Sequence, residues 1–163
     1  MKRLSWKYIA GLIDGEGCID FQCHTYEGKD GKGLHIVPRL RIAMTDVALY
    51  LLEMLKANFG GNIWASHRNW TNPNWRPAYY WQLTGRGMRP LLQNIINHLI
   101  LKREQAKFCI WWIDKCMGKH LDRTESEKIM SIRECARNEL KAMKTDPHRL
   151  SERAIQEFSE LMR

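Results

Sequence analysis

The sequence predicts an α+β protein: one antiparallel sheet backed by helices, in the order αββαββα, with extra helices at the C-terminal end. Two patterns support this. Four short runs alternate between apolar and polar residues, the period of a half-buried strand. These runs come in two pairs, and each pair is flanked by stretches whose apolar residues recur at helical spacing. No linker or shift in composition interrupts the chain, so residues 1–163 read as a single domain.

Ser5 is the expected N-cap of a helix running to about Glu16, with Gly17 as a left-handed terminator. In the next strand Ile19, Phe21 and Cys23 share one face, and Asp20, Gln22 and His24 the other. Glu27 to Gly33, rich in Gly, Lys and Asp, reads as an exposed hairpin tip. In the returning strand Leu40, Ile42 and Met44 oppose Arg39 and Arg41, and Pro38 implies an edge strand or an irregular start. Asp46 fits the N-cap of a helix over Ala48 to Phe59, with Leu51, Leu52 and Leu55 on its apolar stripe and Gly60-Gly61 at its end. From Asn62 to Arg68, Ile63 and Ala65 oppose Trp64, Ser66 and Arg68. A turn segment, Asn69 to Pro77, leads to a strand over Tyr79 to Thr84, where Tyr80 and Gln82 share a face, and Gly85 to Gly87 closes the sheet. Helices are expected over Met88–Leu99, Lys102–Met117, Asp122–Met143 and Leu150–Met162.

Apolar residues make up 44% of the chain, a globular composition with material for a core. No apolar run approaches the ~18 residues of a membrane span, and no secretory leader or membrane partner is expected. The net charge of +8, from 26 basic and 18 acidic residues, fits a polyanionic partner. The five cysteines form no Cys-x-x-Cys pair, so reduced thiols and an intracellular setting are expected. Cys116 and His120 stand four apart, but no further ligands at suitable spacing join them in a zinc site. One sheet face would carry Gln22, His24, Arg39, Arg41, Trp64, Ser66, Arg68, Tyr80 and Gln82. The ordinary alternative is a solvated face. Arg and Gln are, however, side chains that bond base edges in a major groove, and Trp64 and Tyr80 favour a contact surface.

Residues Ile9 to Gly17 read Ile-Ala-Gly-Leu-Ile-Asp-Gly-Glu-Gly. Two acids, Asp14 and Glu16, close a short apolar helix, where the C-terminal half-charge of the helix disfavours carboxylates and a cation should compensate. Gly11 and Gly15, four apart, share a face on which a second backbone can approach. This run resembles the signature of the LAGLIDADG homing endonucleases, with Ile at its first position, Gly at Gly15 and Glu at Glu16. It occurs once, as in the single-motif, homodimeric branch of that family.

The resemblance implies a site-specific nuclease that cuts double-stranded DNA across the minor groove of a long, near-palindromic site. Two copies of the motif helix would pack at a two-fold axis through Ala10, Gly11 and Asp14. Glu16 and the carbonyl of Gly15 would hold Mg²⁺ or Mn²⁺. Asp14, roughly 200° around the helix from Glu16, would be structural. Lys102, in Leu101-Lys102-Arg103-Glu104-Gln105-Ala106, matches the basic catalytic residue of the family. The sheet would form a saddle on DNA. One departure is Met44, aligned where many members carry a polar, water-positioning residue, with nonpolar Ala48 one turn later. That departure leaves two alternatives in view: a maturase that binds host intron RNA, and a DNA-binding regulator that does not cut.

Overall fold

The computed structural model describes residues 4–28, 31–66, 76–117, 126–146 and 149–161. The chain runs α1 (Trp6–Glu16), β1 (Gly17–Gly28), β2 (Gly31–Thr45), α2 (Leu49–Phe59), β3 (Asn62–Ala65), β4 (Ala78–Thr84), α3 (Met88–Ile95), α4 (Arg103–Lys115), α5 (Ser126–Thr145) and α6 (Ser151–Leu161). Short 3₁₀ turns at Asp46–Ala48 and Gly85–Gly87 lead into α2 and α3. The four strands form one antiparallel sheet in the order β1-β2-β4-β3.

Strand alternation decides which face is covered. Ile19, Phe21, Leu34, Ile36, Leu40, Ile42, Trp81 and Leu83 point inward and join one core with residues of α1 to α6. An aromatic cluster ties the C-terminal helices to the sheet: Phe21 of β1 lies with its ring centroid 5.3 Å from that of Trp112, and Phe108 lies 5.7 Å from Phe158 of α6. Glu104 of α4 then accepts from the backbone N–H and hydroxyl of Ser151 at 2.9 and 2.7 Å, capping α6 with the carboxylate that a helix N-terminus favours.

Ser5 caps α1 as expected, its hydroxyl accepting from the Tyr8 N–H at 3.2 Å. Gly17 departs from expectation. Its backbone is extended, with φ −77° and ψ 147°, and it starts β1 directly. Glycine is required there by space: a Cβ would sit 2.6 Å from the Ile13 carbonyl oxygen. Pro38 sits on an edge segment, as expected. β2 is an edge strand only up to Pro38, because β4 pairs with it from Arg39 to Thr45, where β2 is central. Asp46 does not cap α2; its carboxylate accepts from the adjacent Val47 N–H, and the helix proper begins at Leu49. β3 ends at Ala65, so Ser66 lies just beyond it, and Arg68 and His120 fall outside the described residues. No described helix is long and apolar enough to cross a membrane. The five cysteines are free thiols.

Candidate functional site

Two surfaces carry the chemistry: the C-terminal end of α1 and the uncovered face of the sheet. At the end of α1, Ile9, Ala10 and Ile13 are buried and fix the helix on the core. This leaves Gly11, Gly15 and Glu16 exposed. A Cβ at Gly11 or Gly15 would meet nothing within 4 Å. That glycine face is therefore open within the chain; exposed Tyr8 lies one turn before it, and exposed Ile100 is held beside the helix end at Asp14. Ala10, expected at a seam between two copies, is instead completely buried in the chain's own core, so it has no surface for a partner.

The two acids at this end have different fates. Asp14 is spent on the frame: its carboxylate accepts from the Ile100 N–H at 2.7 Å and the Lys102 N–H at 3.0 Å. These donors precede α4, and the first N–H groups of a helix lack partners within it. One carboxylate thus fastens the end of α1 to the start of α4. The Lys102 ammonium donates to the Asp14 carbonyl oxygen, which brings a cation to the negative end of the α1 dipole. Glu16 is exposed, and its carboxylate has no hydrogen-bond or ion-pair partner among the described residues. The Gly15 carbonyl belongs to the last turn, where helical geometry supplies no N–H.

This donor set fits a hard divalent cation. One carboxylate and one carbonyl oxygen leave most coordination positions to water and substrate phosphate, the manner in which Mg²⁺ is usually held. Among the described residues no group of three His, Cys, Asp or Glu side chains is placed to hold a metal.

The second surface is set by register. Asp20 lies opposite Arg39, and Cys18 opposite Arg41 and then Gln82. The outer face therefore gathers Gln22, His24, Arg39, Arg41, Trp64, Tyr80 and Gln82, as the alternation predicts. Trp64 is 52% exposed. Gln82 donates to Gln22 at 3.4 Å across β2. Sequence reasoning missed the role of Asp20. Arg39 donates to both its oxygens at 2.8 and 3.0 Å, and Arg41 donates at 3.1 Å. Burial pushes the Asp20 carboxyl up, but the hydrogen bond and charge of Arg39, with the charges of Arg41 and Lys144, outweigh it and hold the group below the usual carboxylate range. The hairpin length held the signal, since counting back from its tip sets Asp20 against Arg39.

Met44, aligned with a polar position at the end of the second strand, faces the interior and packs against the core. The first residue past the strand is Asp46, which is exposed. Arg133 of α5 is half-buried and donates to the Leu34 carbonyl of β2 at 2.5 Å.

The sheet, the helices behind it and the acid-tipped α1 define the LAGLIDADG homing-endonuclease fold. The chain belongs to the LAGLIDADG endonuclease family, whose model matches residues 9–100. Among solved structures it is similar to the homing endonuclease I-CvuI in complex with the I-CreI target, at 17% identity and a TM-score of 0.66, covering 97% of this chain and 94% of that one. It is similar to the homing endonuclease I-TnaI at 17% identity and a TM-score of 0.54, covering 99% and 100%. With I-GzeII bound to a DNA target the identity is 18% and the TM-score 0.60, covering 91% of this chain and 50% of that one. No curated protein sequence matches the chain.

Proposed function

We propose that this chain is a site-specific DNA endonuclease that acts as a homodimer and needs a divalent cation of the Mg²⁺ class. The observation that carries the reading is the unpaired, exposed Glu16 carboxylate at the tip of α1, with the Lys102 ammonium held beside it on the Asp14 carbonyl. Glu16 takes no part in fastening α1 to α4, which the Asp14 carboxylate and the Lys102 ammonium do.

Glu16 and the Gly15 carbonyl would hold the ion, which when bound polarises a phosphodiester and lowers the pKa of nearby water. Lys102 offsets charge that builds on the phosphate oxygens, and Asp14 keeps Lys102 and Glu16 in fixed relation. One Glu16 per chain serves one DNA strand, so a double-strand cut needs two copies. The open Gly11–Gly15 face, with exposed Tyr8 one turn before it and exposed Ile100 beside the helix end, supports a second α1 as its cover. This chain spans the full length of I-TnaI but half that of I-GzeII, the ratio expected where a longer chain supplies two such units.

DNA would lie on the outer sheet face. β1 and β2, of 12 and 15 residues, reach roughly 40 to 50 Å at ~3.3 Å per residue, longer than the nine-residue, ~30 Å strand that a single half-site of about nine base pairs requires. Trp64, Tyr80, Gln22 and Gln82 offer stacking and amide contacts there. Met44, partly buried against the core, offers the site no polar group, so the intron-maturase reading stays as the alternative that the nuclease test discriminates.

The test is selection of cleaved duplexes from a randomised DNA library with Mg²⁺. The expected result is a long two-fold-related consensus cut by the native chain. Glu16→Gln is expected to bind that site without cutting it; full cleavage by this variant would refute the role of Glu16.

A further inference from the structure

Beside the tip of α1 lies a cleft of about 310 Å³, between Cys18 at the start of β1, Lys102 and Gln105 at the start of α4, and Met143 and Lys144 in the last turn of α5. Gln105 is only 4% exposed. Its amide nitrogen donates to the Met143 carbonyl at 3.3 Å, one of the oxygens that the end of α5 leaves without a helical donor. Gln105 thereby fixes the turn that carries Lys144. The Lys144 ammonium lies 3.4 Å from the Cys18 sulfur and adds to the charges that act on Asp20. The other half of the Gln105 amide, Oε1, is buried and has no partner among the described residues. Buried amide oxygens are nearly always bonded to a donor, and one that no protein group reaches is most often met by an enclosed water.

We propose that Gln105 is a positioning residue for phosphodiester cleavage. Through Met143 it holds Lys144 across the cleft from Lys102, and through Oε1 it fixes a water molecule between them. Two ammonium groups and one ordered water then face the phosphate served by Glu16. Lys102 and Gln105 stand three apart, so the start of α4 presents both to one side. The site takes a DNA backbone phosphate, and it supplies the polar solvent-holding group that β2 lacks where Met44 turns inward. This inference rests on the nuclease reading.

Two measurements test it. The first does not depend on cutting: the lysines are ¹³C-methylated, and NMR follows their signals as a short non-specific DNA duplex is added. In the native chain Lys102 and Lys144 are expected to shift together, whereas in Gln105→Met only Lys102 does. The second is single-turnover cleavage of the selected site. Gln105→Met and Lys144→Met should each slow the cut by about tenfold to a hundredfold at saturating protein, as loss of supporting partners does elsewhere. DNA affinity should change much less, and the double variant should be no slower than the slower single one. Lys144 is exposed, so its variant folds even where Gln105→Met does not. If the native chain cuts nothing, the nuclease reading falls and the NMR comparison still decides the phosphate site. Equal Lys144 shifts in native and variant protein overturn the proposal, as do additive losses of rate.

Discussion

The tip of α1 and the outer face of the sheet both mix acids with bases, yet they use them in opposite ways. At the helix tip one acid, Asp14, is consumed by backbone N–H groups so that its neighbour Glu16 stays free. On the sheet one acid, Asp20, pairs with two arginines, and the other contact groups are aromatics and the mutually bonded amides of Gln22 and Gln82. The first arrangement leaves a reactive charge exposed. The second removes bare charge from a surface that is still shaped to meet a partner. Charge type in a sequence therefore says little about which charge is available; hydrogen-bond partners decide it.

The sharpest break of this comparison separates Glu16 from Asp14. Glu16→Gln should reduce cleavage by at least about a hundredfold, the usual cost of removing a group that acts on transition-state charge, with unfolding free energy changed by less than about 0.5 kcal/mol. Asp14→Ala should do the reverse first. It orphans the Ile100 and Lys102 N–H donors while leaving the Lys102 ammonium on the carbonyl of residue 14, and chemical denaturation is expected to show a loss of about 3 kcal/mol. Equal destabilisation by both substitutions would erase the division of labour between the acids. The glycines sharpen the same point. Gly17→Ala forces a Cβ against the Ile13 carbonyl and should cost about 2 kcal/mol of stability. Gly11→Ala meets nothing within the chain, so the stability of the single chain should hold or rise slightly while dimerisation weakens, as analytical ultracentrifugation would read.

Much of this was legible in the sequence for identifiable reasons. Strand alternation placed Gln22, Arg41, Tyr80 and Gln82 on one face because a two-residue period admits no third choice. The Ser5 cap and the acid-ended α1 were visible because their cues are local. What escaped depends on long-range placement. The grip of Asp14 on residues 86 and 88 positions away, and that of Gln105 on Met143, need the tertiary fold. Gly17 was misread because a close contact with Ile13 and a left-handed turn call for the same residue. Met44 falls on the inward face with Leu40 and Ile42, as the alternation had it, so the departure from a polar residue there stands.

The sheet's ion pairs allow a smaller test. Asp20 has its pKa lowered in the folded chain, so its contribution to stability is complete above the unfolded value near 4 and is lost as pH falls through the folded one. Acid titration of the native chain should show that loss, and Asp20→Asn should flatten it. The same variant releases Arg39 and Arg41, so the dependence of DNA binding on salt should steepen by about one to two counterions. An unchanged salt slope would mean that the arginines already reach phosphate while paired.

The least effect expected is at the far end of the sheet, where His24 and His35 face one another with ring centroids 6.5 Å apart. Burial lowers the pKa of His35, and the charges of Arg133 and His24 add to this. Its folded pKa is thus below the unfolded value of about 6.5, and stability should fall slightly as pH drops through that value. DNA on this face would act in the other direction, since phosphates favour the protonated ring. Acidification from pH ~7 to ~6 should then tighten DNA binding while it weakens the fold, and His35→Gln should diminish both trends. Binding that weakens in parallel with stability would place the DNA away from this end of the sheet and confine contact to the segment around Tyr80 and Gln82.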